Sequence, residues 1–169
     1  MQRYYPVVRV LSLVILMFGL TMLVPWGLSW VLQDGAESAF DEAVLLTVAT
    51  GLGLWYATRK EKRDLTIRDG FLMVALVWTV LPVYAGLPLV LHMHASFTDA
   101  YFEAVSGLTT TGATVFEGLD ALPVSINFWR CQLVWLGGMG LIVLAVAILP
   151  LLGIGGRQMF KAETPGPMK

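Results

Sequence analysis

A polar segment, residues 96–114, lies between two long apolar runs, and it limits what this chain can fold into more than any other feature. The segment reads SFTDAYFEAVSGLTTTGAT. Ser96 with Asp99 three residues later is a capping-box pattern that predicts a helix start, and Gly107 is expected to end the helix. The predicted helix, residues 97–106, would be roughly 15 Å long, about half of a 30 Å hydrocarbon core. Such a helix can enter a membrane but cannot cross it.

The run Thr109, Thr110, Thr111 and Gly112 follows this helix. β-Branched residues favour extended backbone, and Gly112 is free to adopt a positive φ. Non-helical backbone at membrane depth is tolerated only where it is buried in protein or lines a watery cavity, and the preceding helix directs the negative end of its dipole to this place. We therefore predict a re-entrant pore loop in which the main-chain carbonyls of these four residues bind a dehydrated cation. A buried threonine-rich turn is the alternative interpretation.

The composition indicates an integral membrane protein. The chain is 57% hydrophobic, with a mean hydropathy of +0.73, well above the values of soluble domains. Its single cysteine excludes an internal disulfide, and no pattern indicates a structural metal site, a soluble catalytic domain or a nucleic-acid-binding patch.

Four spanning helices are predicted around the polar segment. They lie between Arg9 and Asp34, at residues 43–58 with flanks at 40–42, at 71–90, and between Arg130 and Arg157. Pro25 is predicted to kink the first helix. The fold class is therefore all-α integral membrane: two N-terminal transmembrane helices followed by one module of helix, re-entrant pore loop and helix. The expected regions are 1–69 (two helices and a cytoplasmic loop), 70–156 (the module) and 157–169 (a cytoplasmic tail or the start of another module).

The distribution of charge predicts the orientation. If the helices alternate in direction, 10 of the 11 basic residues lie on the side of the N-terminus, and 8 of the 12 acidic residues lie on the opposite side. The positive-inside rule then makes the N-terminus cytoplasmic, so the pore loop enters from outside. Its acidic mouth favours a cation over an anion.

Two charged positions near the loop leave alternatives open. Asp99 and Glu103 share one face of the short helix, where they either attract an entering ion or face vestibule water. Arg130 is the one basic residue on the outer side; it either pairs with Glu103, Glu117 or Asp120 or extends toward the headgroups.

Three glycines, Gly137, Gly138 and Gly140, lie in the fourth helix. They predict close packing of this helix against a neighbour. A bend that widens the cytoplasmic half of a pore is the alternative.

Several blocks of the sequence resemble one family. FTDAYFEAVSGLTTTGAT, the following GLDALP, WLGGMGLIVLAVAILPLLGIGG and the terminal AETPGPMK are similar to the Trk/Ktr/HKT superfamily of potassium transporters, most of all its bacterial TrkH/TrkG membrane subunits. The resemblance implies that K⁺ is the transported ion, bound at Thr110 and Thr111 within the Thr109–Gly112 filter. It implies no cofactor and no enzymatic reaction.

The resemblance also implies partners and a location. The location would be the bacterial inner membrane, crossed several times with the N-terminus in the cytoplasm. Besides the lipid bilayer, the expected partners are a second copy of the full-length protein, as a homodimer, and a cytoplasmic nucleotide-binding regulatory subunit. No nucleic-acid partner is expected.

Full members of the resembled family carry four modules on one polypeptide, whereas this sequence contains one. We therefore expect a truncated or partial chain that represents the N-terminal portion. The alternatives are a homotetramer that acts like a K⁺ channel and a non-conducting membrane scaffold.

Overall fold

The computed structural model of this chain describes residues 4–60 and 66–151. Within these two ranges the chain forms six helices and a short 3₁₀ turn, Leu119–Ala121. The helices are α1 (Tyr5–Thr21), α2 (Leu23–Leu32), α3 (Glu37–Thr58), α4 (Ile67–Met93), α5 (Phe97–Leu108) and α6 (Val124–Leu151). The predicted all-α fold class is confirmed. The end predicted for the last helix and the tail at 157–169 lie outside the described residues.

The helices that we expected to span a membrane are all longer in the structure than predicted. Two continuous stretches of the described chain, Tyr5–Leu32 and Arg68–Met93, are long and apolar enough to cross a bilayer. α3 extends to the N-terminal side of the predicted span, and α6 begins at Val124, before Arg130. The added turns carry polar and charged residues. Hydropathy assigns such residues to loops, although the helix continues through them beyond its apolar part.

Pro25 interrupts the first helix, as predicted. α1 ends at Thr21 and α2 begins at Leu23. Because proline has no amide hydrogen, the carbonyl of Thr21, four residues earlier, loses its helical partner. The side chain of Gln132 on α6 donates a hydrogen bond of 2.8 Å to this oxygen. The kink therefore also joins the first helix to α6.

Near the two prolines inside α4, main-chain carbonyls likewise accept hydrogen bonds from side chains of other helices. Tyr101 of α5 donates its hydroxyl to the carbonyl of Thr79 at 3.1 Å, three residues before Pro82. Trp129 of α6 donates its indole N–H to the carbonyl of Ala85 at 2.9 Å, three residues before Pro88. A proline distorts the preceding turn and opens its carbonyls to outside donors. α4 is thus linked by side chains to α5 and to α6.

The core consists of buried side chains from α1, α3, α4, α5 and α6. Its largest fully buried side chains include Trp129, Phe40 and Ile15, and the ring of Phe18 lies 5.7 Å from that of Trp129. Small residues allow the close approaches: a Cβ on Gly86 of α4 would lie 3.1 Å from a main-chain oxygen of α5. This packing gives α5 a rigid support on α4.

Candidate functional site

α5 begins as predicted but ends later. The hydroxyl of Ser96 accepts a hydrogen bond of 3.1 Å from the Asp99 amide and donates one of 2.7 Å to its carboxylate. The predicted end at Gly107 is wrong, because the helix continues to Leu108. A Cβ on Gly107 would lie 3.1 Å from Cβ of Leu133 on α6, so the glycine provides room for α6.

The helix is terminated at Thr110. The amide of Thr110 donates to the carbonyl of Gly107, and that of Thr111 donates to the carbonyl of Ser106, both at 2.9 Å. This pair of bonds, with a left-handed residue between them, is a Schellman motif, which normally has glycine at the left-handed position. Here Thr110 occupies that position with φ +57°.

The backbone of the threonine run is therefore not extended, contrary to our prediction. Thr109 has φ −85° and ψ 2°, Thr110 is left-handed, and Gly112 is again left-handed with φ +75°. The hydrogen bonds that close α5 outweigh the preference of β-branched residues for extended backbone. The prediction that Gly112 adopts a positive φ is confirmed.

The main-chain oxygens of this run have no protein donor. Within the described part of the chain, the carbonyls of Thr109, Thr110, Thr111 and Gly112 accept no hydrogen bond, and all four residues are exposed. The side-chain oxygens, in contrast, are partly paired: the hydroxyls of Thr109 and Thr111 lie 2.8 Å apart. Four successive unpaired carbonyls form a set of oxygen ligands suited to a weakly hydrated cation.

The chain after Gly112 is attached to the buried face of α5. Ser106 donates its hydroxyl to the carbonyl of Ala113 at 2.6 Å. One carboxylate oxygen of Glu103, Oε2, accepts from the hydroxyl of Thr114 at 2.9 Å and from the amide of Val115 at 3.3 Å.

Arg130 binds the other oxygen of Glu103. Its Nε donates to Oε1 at 2.9 Å and its Nη2 donates to the same atom. Of the predicted alternatives, the pairing of Arg130 with Glu103 is thus the observed one. The interpretation that Glu103 faces vestibule water is wrong, because this side chain is only 4% exposed; attraction of an entering ion by Glu103 stays a prediction. Asp99 remains exposed.

The glycines of α6 differ in their surroundings. A Cβ on Gly137 would lie 1.9 Å from the carbonyl oxygen of Leu108, so the predicted close packing is confirmed at this residue. A Cβ on Gly138 would lie 3.8 Å from the Thr110 side chain, an ordinary contact, and one on Gly140 would meet nothing within 4 Å. Gly137 thus places α6 directly against the last residue of α5.

Asp34 connects the loop between α2 and α3 to α6, a role that the sequence did not indicate. Its carboxylate accepts from the Ser125 amide at 2.8 Å, from the Ser29 hydroxyl and from the Ala36 amide. Ser125 lies in the first turn of α6, whose amides have no helical acceptors. Partial burial raises the pKa of Asp34, but these hydrogen bonds outweigh it and lower the pKa below its ordinary value of 3.8.

The fold and the site together define a class of protein. It is an all-α integral membrane protein in which a helix too short to cross a bilayer packs between two long helices and leads into a loop of unpaired carbonyls. The chain belongs to the TrkH family of cation transport proteins, whose family model matches residues 36–169.

Individual relatives agree with this assignment. The chain is 48% identical to the Trk system potassium uptake protein TrkH of Escherichia coli K12, over 99% of this chain and 35% of that protein. It is 40% identical to TrkG of the same strain, over 90% of this chain and 32% of TrkG. The crystal structure of the potassium transporter TrkH from Vibrio parahaemolyticus matches with a TM-score of 0.84 and 46% identity, over 91% of this chain and 33% of that one. The chain therefore spans about a third of the length of these relatives.

Proposed function

We propose that this chain takes part in K⁺ transport across a membrane and that residues 97–114 form a pore loop whose Thr109–Gly112 run lines one side of the selectivity filter. In this proposal the main-chain oxygens of Thr109, Thr110, Thr111 and Gly112 replace water around the ion, and Thr110 and Thr111 contribute the central ligands. The observation that carries the proposal is the run of four carbonyls without a donor in the described chain. The names of the relatives, potassium uptake proteins and a potassium transporter, support K⁺ as the ion.

The electrostatics of α5 favour a cation at this place. The C-terminal end of a helix carries a partial negative charge, and α5 ends directly before the run. Its acidic residue Glu103 is neutralised by Arg130, so the attraction comes from main-chain dipoles. Carbonyl dipoles stabilise an ion enough for it to enter and weakly enough for it to leave, as permeation requires. The reaction is permeation, with no covalent step.

One loop covers only one side of an ion, so the filter needs further loops. We propose that these come from additional modules of a longer polypeptide, as the family resemblance implies, and that a homodimer and a cytoplasmic nucleotide-binding subunit complete the transport system. Four copies of this chain around one axis, and a scaffold that conducts no ions, are the alternatives. Ion flux through this chain alone separates the first alternative from the others.

The orientation belongs to the same proposal: a bacterial inner membrane, with the N-terminus in the cytoplasm. The hydrogen bond from Ser125 to Asp34 supports it, because it brings the first acidic loop and the start of α6 to one end of the molecule. Helices that alternate in direction require this arrangement.

The test replaces two glycines that differ only in location. Gly112 and Gly118 both have positive φ, +75° and +65°, and a Cβ on either would meet nothing within 4 Å. Alanine therefore introduces similar backbone strain, about 1–2 kcal/mol, at both positions. The vehicle is a chimera in which residues 1–169 replace the matched third of E. coli TrkH, expressed in a host that lacks its own potassium uptake.

We expect the Gly112→Ala chimera to lose K⁺ uptake or its preference for K⁺ over Na⁺, measured with radioactive rubidium and sodium. The Gly118→Ala chimera should retain both, at an equal amount of protein in the membrane. Equal transport by the two variants would refute the filter proposal. Growth on low K⁺ with residues 1–169 alone would instead favour the homotetramer.

A further inference from the structure

A group of four polar side chains joins α5 and α6 to the chain that directly follows the proposed filter. We call it the brace; it consists of Glu103 and Ser106 on α5, Thr114 after the filter, and Arg130 on α6. Glu103 and Ser106 are one helical turn apart, and each is 5% exposed. These two side chains of the brace therefore lie inside the protein, whereas Arg130 is half-buried and Thr114 is exposed.

The brace holds three consecutive residues, two of them by the backbone and Thr114 by its side chain. Ser106 binds the carbonyl of Ala113, and Glu103 binds the hydroxyl of Thr114 and the amide of Val115. These residues directly follow Gly112. The start of the filter is fixed by the Schellman motif, and its end is fixed by the brace.

The chemistry of Glu103 suits this task. A carboxylate accepts at both oxygens, so it can bind a guanidinium with one and the filter backbone with the other. A glutamine has one acceptor oxygen, and its amide group would face the donors of Arg130. Arg130 in turn compensates the charge of the buried carboxylate, which would otherwise be costly. Its Nη1 also donates to Asn127 at 3.3 Å, which holds the guanidinium in place.

We propose that Glu103, held by Arg130, is a positioning residue that determines specificity: by fixing residues 113–115 to α5, it sets how far the filter can narrow and thereby its preference for K⁺ over Na⁺. This inference rests on the proposed function. Selectivity can arise from the size of the site or from the number of carbonyls around the ion. Each of these mechanisms requires oxygens that are kept in place. A filter released from the brace can close around the smaller ion.

The first experiment measures the brace without transport. Amide hydrogen exchange is followed in the full chain in detergent for Glu103→Gln, Arg130→Gln and the double variant, with Glu117→Gln as control. Glu117 is an exposed carboxylate in the following loop. Loss of a hydrogen bond to a charged group should speed exchange at Val115 roughly 10- to 100-fold in each brace variant. The double variant should exchange no faster than the single ones, because the pair acts as a unit.

The second experiment measures specificity in the chimera described above. Glu103→Gln and Arg130→Gln should lower the ratio of K⁺ to Na⁺ transport at least about tenfold while the maximal K⁺ rate falls less, and Arg130→Lys, which keeps the charge but not the forked geometry, should lie between. Glu117→Gln should leave the ratio unchanged. If the brace variants only reduce the amount of folded protein and keep the ratio, the positioning role is refuted.

The two experiments distinguish a failure of this inference from a failure of the proposed function. If the unmodified chimera carries no K⁺ while E. coli TrkH does, the proposed function is refuted, and with it the role in specificity. Unchanged exchange at Val115 in Glu103→Gln refutes the brace itself, whatever the transport result.

Discussion

Thr110 shows how a single residue can carry strain at the candidate site. It occupies the left-handed position of a Schellman motif with a β-branched side chain, for which a positive φ is rare. Such conformations cost of order 1–3 kcal/mol and cluster at functional sites. The sequence located the threonine run, but it indicated Gly107 as the helix end because glycine usually fills the left-handed position. Gly107 is required instead for contact with Leu133, which sequence spacing does not reveal.

Replacing Thr110 by glycine should therefore stabilise the chain. We expect the free energy of unfolding to rise by about 1 kcal/mol, because the strain at φ +57° is relieved. Thr111→Gly is the matched control: Thr111 has no positive φ, so its replacement should destabilise by roughly 0.5–1 kcal/mol through added freedom of the unfolded chain. Thermal unfolding in detergent measures the stability of both variants. A loss of stability in Thr110→Gly would contradict the claim that Thr110 is strained.

At the scale of elements, contacts that the sequence does not reveal join the helices. Pro25 was predicted to kink the first helix and does, but the donors to the carbonyls opened by prolines come from residues far along the chain, such as Gln132 and Trp129. Gly137 was predicted to pack closely, yet the sequence could not tell it from Gly138 or Gly140. Which face of α6 meets α5 depends on how the helices are rotated, and apolar residues lie all around α6, so its sequence does not mark one packing face.

Gly137→Ala should destabilise strongly, because its Cβ would lie 1.9 Å from the main-chain oxygen of Leu108. The backbone must move, at a cost of about 1–3 kcal/mol or more, and the end of α5 moves with it. Gly140→Ala, with nothing within 4 Å, should keep or slightly raise stability. Unfolding midpoints of the two variants in detergent provide the comparison. Similar losses in both would show that the close contact is not what restricts residue 137.

The cap that Asp34 provides for α6 should make stability depend on pH. Its folded-state pKa is lowered below 3.8, so its contribution is fully present above about pH 3.8 and is lost as the pH falls through the folded-state value. Asp34→Ala should cost about 1 kcal/mol at pH 7, the usual effect of losing a cap. Asp34→Asn, which can still accept a hydrogen bond, should cost less at pH 7.

Unfolding of these variants between pH 7 and pH 3 tests the assignment. The advantage of the parent chain over Asp34→Asn should decrease toward the acid end of this range. Asp120→Asn, at an exposed carboxylate of the loop before α6, is the control and should follow the parent. An advantage over Asp34→Asn that persists unchanged at pH 3 would contradict the lowered pKa.

For the whole molecule, charge distribution and helix order lead to one orientation. The division into regions 1–69, 70–156 and 157–169 stays a prediction, as does the cytoplasmic N-terminus. Loops at residues 33–36 and 117–123 lie at the end where Asp34 meets Ser125. The proposal places this end outside and the end of α3, near Lys60, inside.

Cysteine labelling tests this orientation. In a Cys131→Ser background, Glu117→Cys should react with a membrane-impermeant maleimide in intact spheroplasts, and Lys60→Cys should react only in inverted vesicles. Both parent residues are exposed, so access depends on sidedness alone. The reverse pattern would invert the proposed topology and place the pore loop on the cytoplasmic side.

The sequence by itself determined the features that depend on local composition. Apolar runs predicted the membrane helices, the Ser96 cap and the short run after it predicted a half-length helix, and Gly112 predicted a left-handed residue. Only the tertiary structure decided the contact of Gly107 with Leu133, the partner of Glu103 and the role of Asp34. Each of these depends on distances between residues many positions apart, set by helix rotation and packing. The left-handed conformation of Thr110 follows from the local hydrogen bonds that close α5.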